Sequence, residues 1–178
     1  MSETRPVHPP AASTPRVRIQ TADFDLGAEV AALRADDPAV GAVVSFVGTV
    51  RDRNPGYGEA SRQGDITALE LEHYPGMTEA AIEAMIDAAL ARFDIRAARV
   101  IHRVGPLAPL DQIVLVVVSS AHRGQAFQAC EFIMDYLKTE APFWKKESTP
   151  AGAAWVDARV SDDQALARWG LRSGNLAG

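Results

Sequence analysis

The stretch DQIVLVVVSS, residues 111–120, leaves this chain the fewest choices. It is an almost unbroken run of β-branched and aliphatic residues, far too short to span a bilayer, and β-branching disfavours it as a helix. A strand buried on both faces satisfies it, so it is predicted as the central strand of a sheet. GAVVSFVGTV, 41–50, bounded by glycine, reads the same way, as a second strand covered on both faces. With 178 residues, 47% of them apolar, the chain can bury one substantial core and is short for two.

The flanking segments supply the other layer. Asp25 is placed to cap a short helix with Leu26, Val30 and Leu33 on one face, and Pro38 forbids its continuation. ITALELEHY, 66–74, alternates Leu69 and Leu71 with Glu70 and Glu72, a strand with one wet face. In MTEAAIEAMIDAALARF, residues Ile82, Met85, Ile86, Ala89 and Phe93 recur at helical spacing, with Pro75 and Thr78 as alternative start signals. ARVIHRVG follows as a short strand. GQAFQACEFIMDYLKT is a helix that turns Phe127, Cys130, Ile133 and Leu137 toward the core and stops near Thr139 or Glu140, because Pro142 disfavours helix at Ala141. AAWVDARV alternates again, with Val156, Ala158 and Val160 opposite Trp155, Asp157 and Arg159. This order predicts a mixed α+β domain over residues 16–170, flanked by a proline-rich disordered tail, 1–15, and a flexible tail, 171–178. RDRNPGYGEASRQGD, 51–65, reads as a long, mobile, functional loop.

The formal charge of −5 argues against a nucleic-acid binder working by bulk phosphate neutralisation, so any cationic site must be local. One cysteine, Cys130, cannot form an internal disulfide, and its place on an apolar helix face suits a small buried hydrophobe rather than a thiolate. With no run of membrane-spanning length and no secretory plan at the N-terminus, the expected setting is soluble and cytoplasmic.

Cations gather at four places: Arg51 after the first long strand, His122 and Arg123 after the central one, Lys138 with Lys145, and Arg159. Three of these follow strand ends, where mixed sheets bind ligands, and together they suit a phosphorylated or carboxylated molecule. Each residue alone has a plainer reading. Lys138 near a helix C-terminus complements the dipole. His122 fits a hydrogen-bonded structural histidine and a catalytic one alike. Arg51 and Arg159 would pass as surface charges. Yet YLKTEAPFWKKE, 136–147, sets lysines around Pro142, Phe143 and Trp144, which must either anchor a loop or wall a pocket. No G-x-S-x-G, glycine-rich phosphate loop or Cys/His metal spacing is present, so no resident metal or cofactor is expected. An enzyme of this composition would supply position and charge while the attacking group came from elsewhere.

The strings GAVVSFVGTVRDRN, LELEHYPGMTEAAI, IHRVGPLAP, SSAHRGQAF and FIMDYLKTEAPFWKKE, spread over about residues 17–169, resemble the large, catalytic subunit family of molybdopterin synthase. That resemblance implies an α/β hammerhead fold and a homodimer carrying two small ubiquitin-like subunits, a heterotetramer. It further implies that the small subunit's C-terminal thiocarboxylate hands sulfur, twice, to a cyclic pyranopterin monophosphate during molybdenum cofactor biosynthesis. Carried over by motif, Lys138 and Lys145 are the catalytic lysines, and Arg51, His122, Arg123 and Arg159 bind the substrate. On this reading the aromatic knot holds the lysines and excludes water. The loop at 51–65 and the proline-rich head depart from the family pattern. Two other readings use the same residues: a binding protein holding a phosphorylated pterin or nucleotide without turnover, and a purely structural dimer subunit.

Overall fold

In the computed structural model, residues 14–52, 66–150, 152–156 and 165–171 are described. Residues 1–13 of the tail assigned to 1–15, residues 172–178 of the tail assigned to 171–178, most of the long loop and residues 157–164, Arg159 among them, lie outside these. Among the described residues the elements follow in the order β1 (Val17–Gln20), α1 (Leu26–Arg34), β2 (Ala42–Thr49), β3 (Ala68–His73), α2 (Met77–Arg92), β4 (Ala97–Arg103), β5 (Gly105–Leu107), β6 (Gln112–Ser120), α3 (Arg123–Glu140), β7 (Phe143–Thr149) and β8 (Gly152–Val156).

The strands form two sheets, β1-β4-β6-β2 and β5-β3-β7-β8. In the first, β1 runs parallel to β4, while β4 and β2 flank β6 antiparallel. The predicted central strand is central, with Leu115 to Val118 fully buried. Its alternation divides the core. Val114, Val116 and Val118 face α2 and α3, whereas Leu115 and Val117 join Phe24 and Ile101 beneath Val30 and Leu33 of α1.

β2 is an edge strand, and Phe46 is 39% exposed. Its apolar run reports a strand with side chains against α3 on one face and against the α1 layer on the other, but with one edge open. α1 begins as expected, the Asp25 Oδ1 accepting the Ala28 N–H at 2.9 Å. α2 starts at neither Pro75 nor Thr78. Gly76, at φ 83°, caps it, and Glu79 accepts the Gly76 N–H at 2.7 Å. α3 ends at Glu140 with Ala141 already extended, as Pro142 requires. Its inward stripe runs through Ala126, Cys130, Ile133 and Leu137, while Phe127, expected inside, is 62% exposed. Ala126 and Ala129 are both fully buried in the main core, and Phe127 lies outside it.

The second sheet is wholly antiparallel and has a small core of its own, Val50, Leu69, Leu71 and Leu107, touched by Ile113. β3 buries Leu69 and Leu71 and exposes Glu70 and Glu72, as its alternation predicts. Among the described residues, no helix is long and apolar enough to cross a membrane.

Candidate active site

A cleft opens where the chain leaves β2 for the second sheet. Val50 is pinned to the turn before β6: its N–H donates to the Asp111 carbonyl and its carbonyl accepts the Leu110 N–H, both at 2.9 Å. Beyond it, the Ile66 N–H donates to the Asp52 carbonyl at 2.6 Å and the Thr67 N–H to the Ser148 carbonyl at 2.9 Å. These bonds bring Arg51 alongside β3 and β7. The cleft, about 150 Å³, is lined by Thr49, Val50, Arg51, Ile66, Leu69, Ile113, Lys145 and Glu147.

Lys145 reaches it because strand side chains alternate. In β7, Phe143, Lys145 and Glu147 share one face and oppose His73, Leu71 and Leu69 of β3. The Lys145 Nζ lies 2.5 Å from the Glu147 Oε1, with the two side chains 30% and 10% exposed. Buried walls at Val50, Ile66 and Leu69 lower the local dielectric, so this pair is stronger than its surface counterpart, and an entering anion must share the ammonium with Glu147.

Lys138 stands in the last turn of α3, exposed, with only the α3–β7 turn separating it from β7. The aromatic residues of that turn do not form the single knot expected. Phe143 goes inward and stacks on His102, ring centroids 3.8 Å apart and planes 18° apart. Trp144 goes outward, 41% exposed, edge-on to Tyr74 at 4.6 Å. Alternation forces the split, so the water-excluding wall beside Lys145 comes from Val50, Ile66 and Leu69 instead of Trp144. Lys146 also turns outward, opposite Glu70 and 5.6 Å from the Trp155 ring.

Two sequence-predicted residues lie elsewhere. His122 caps α3 and Arg123 opens it, both exposed. They follow the far end of β6 from Gln112, where the cleft lies, and eight strand steps put about 26 Å between the two ends. One chain therefore joins Arg51 and Lys145 in a cleft, with Lys138 just before it in the chain, and keeps His122 and Arg123 apart from them.

Two relevant groups escaped sequence reasoning. Glu147 would have followed from its i+2 spacing to Lys145, had 143–149 been read as a strand. His102 is buried; its Nδ1–H donates to the Arg103 carbonyl at 2.8 Å, and burial pushes its pKa down to about 4, so the ring is neutral. Cys130 is as inert as expected: it is buried, and desolvation pushes its thiol up to about 11.

Comparison with known proteins matches residues 19–140 to the family model described as MoaE protein. The molybdopterin synthase catalytic subunit of Ralstonia nicotianae is 64% identical over 163 residues, covering 92% of this chain and 89% of that one. The solved structure of the molybdopterin biosynthesis MoaE protein from Burkholderia ambifaria superposes with a TM-score of 0.74 at 57% identity, covering 89% of this chain and all of that one. A molybdopterin synthase structure from Staphylococcus aureus, 28% identical, gives 0.71 over 81% of this chain and 98% of its own. The chain belongs to the MoaE protein family, the family of molybdopterin synthase catalytic subunits.

Proposed function

We propose that the chain transfers sulfur to a phosphorylated pterin, taking it from the C-terminal thiocarboxylate of a small ubiquitin-like partner, and so builds the dithiolene of molybdopterin. The observation that carries this reading is a cationic, apolar-walled cleft without a sulfur of its own. Arg51 and Lys145 line it, while the single thiol is buried in α3 with its proton held firmly. Such a cleft stabilises charge and cannot attack, so the reactive sulfur must arrive on another molecule. The relatives' name, catalytic subunit, fits a chain that works with a second polypeptide.

The roles follow from the charge that develops. When water adds to the acyl carbon and the sulfur departs on the pterin, leaving the tail as a carboxylate, Lys145, held by Glu147, takes the charge of the tetrahedral oxyanion, and Arg51 takes the phosphate or carboxylate end of a ligand by its guanidinium fork. Lys138 serves as a second charge or as the proton-transfer group. His122, Arg123 and Arg159 contact substrate in this proposal; the first two do so from a second copy of the chain, whose dimer carries one small subunit on each protomer. The reaction is placed in the cytoplasm, consistent with the lone reduced cysteine.

The test is to mix the protein with thiocarboxylated small subunit and cyclic pyranopterin monophosphate and follow the pterin by mass spectrometry. A gain of two sulfurs is expected. Binding of the pterin with no sulfur gained would leave a binding protein in place of an enzyme.

A further inference from the structure

The short turn between α3 and β7 joins the element that carries Lys138 to the one that carries Lys145, and it is gripped from outside. Thr78, fully buried at the second position of α2, accepts the Tyr74 N–H at 3.1 Å through its hydroxyl oxygen and donates to the Pro142 carbonyl at 3.3 Å. Phe143, the next residue, stacks on the neutral ring of His102 and pairs in register with His73 of β3. The Pro142 carbonyl, at the turn where its residue can donate no N–H, accepts the Thr78 hydroxyl.

We propose that Thr78 is a positioning residue for the reaction: its buried hydroxyl locks the α3–β7 turn to the β3–α2 turn and thereby fixes the reach between Lys138 and Lys145. This rests on the roles given to those lysines above. Lys145 stands two strand steps, about 6.6 Å, beyond Phe143, so a tilt of about 10° at the turn moves its Cα by about 1 Å. Misplacement by about 1 Å is enough to reduce a rate by as much as about 10²-fold. Thr78 touches neither cleft nor lysine, and so acts only through the turn.

Two measurements test this. Thr78→Val keeps the shape and removes both hydrogen bonds; it should lower kcat for sulfur transfer about tenfold or more while KM for the pterin changes less than about twofold. Lys138, Lys145 and Lys146 are the only lysines in the sequence, so ¹³C-dimethylation of the folded full chain gives a readable spectrum, in which the Lys145 resonance should move in the valine variant. Thr78→Ser, which restores the hydroxyl, should return both readings to near wild type. A valine variant with kcat within twofold of wild type, or with an unmoved Lys145 resonance, overturns the proposal. Should that variant not fold, Thr78→Ala removes the same hydroxyl and is judged by the same two readings. If wild type itself transfers no sulfur, the functional reading fails, and the resonance alone decides whether Thr78 sets the turn.

Discussion

Among single residues, the choice of lysine is informative. Every fixed positive charge outside 138–146 is an arginine, whereas Lys138 and Lys145 flank the turn that leads into the cleft. Arginine keeps its proton under all conditions in a protein; a lysine ammonium is a compact point charge that can also give a proton up. Glu147 orders Lys145, and His102 supports the turn from beneath without bearing charge. That neutrality has a consequence for stability. An unfolded imidazole takes a proton near pH 6.5, the folded one only near 4, so between these values the unfolded chain binds more protons. The contribution is intact above pH 6.5 and is lost as pH falls through the window. Urea unfolding at pH 7 and pH 4.5 should show wild type losing about 2 kcal/mol more than His102→Phe, which cannot titrate. Equal losses in the two proteins would mean that His102 charges freely in the fold.

At the scale of elements, α3 does the most. Its apolar stripe covers the first sheet, its last turn carries Lys138, and its middle holds the 165–171 segment. The carboxylate of Asp135 accepts Nη2 and Nε of Arg168 at 2.5 and 3.0 Å and the Trp169 indole N–H at 2.6 Å. Trp169 in turn packs edge-on to Phe132 and Phe93 under the Arg92 guanidinium. Asp135→Asn keeps the shape and removes the charge; about 1 kcal/mol of stability should go, with faster amide exchange in 165–171 ahead of any other described segment. Uniform exchange would mean that Asp135 does not anchor it. Local pattern made much of this fold legible: the Asp25 cap, the Leu69 and Leu71 alternation, the buried run of β6 and the stop before Pro142 each depend on neighbours in sequence. What was misjudged or left open depends on distant partners. Nothing near Phe127 says that Ala126 and Ala129 will be buried and Phe127 left outside, nothing near Phe46 says that β2 lies at an edge, and the Lys145–Glu147 pair is visible only once β7 is known to be a strand.

For the whole molecule, the decisive feature is that the two sheets meet at one end of β6. The cleft forms there, and His122 and Arg123 sit at the other end. If a second copy supplies them, Lys145→Ala and Arg123→Ala variants, each weak alone, should complement when mixed as dimers. Random mixing makes half the dimers mixed, each with one intact site, so about a quarter of wild-type activity should return. No recovery would mean that Arg123 of a second copy does not serve the site that holds Lys145.

In the proposed reaction this chain offers a positive cleft and a visiting tail brings the sulfur. The most direct measurement is the single-turnover rate of thiocarboxylate consumption, in the presence of the pterin, by Lys145→Ala against wild type, with unfolding curves for both. A fall of about a hundredfold or more at unchanged fold is expected. A near-normal rate in a folded Lys145→Ala protein would contradict it.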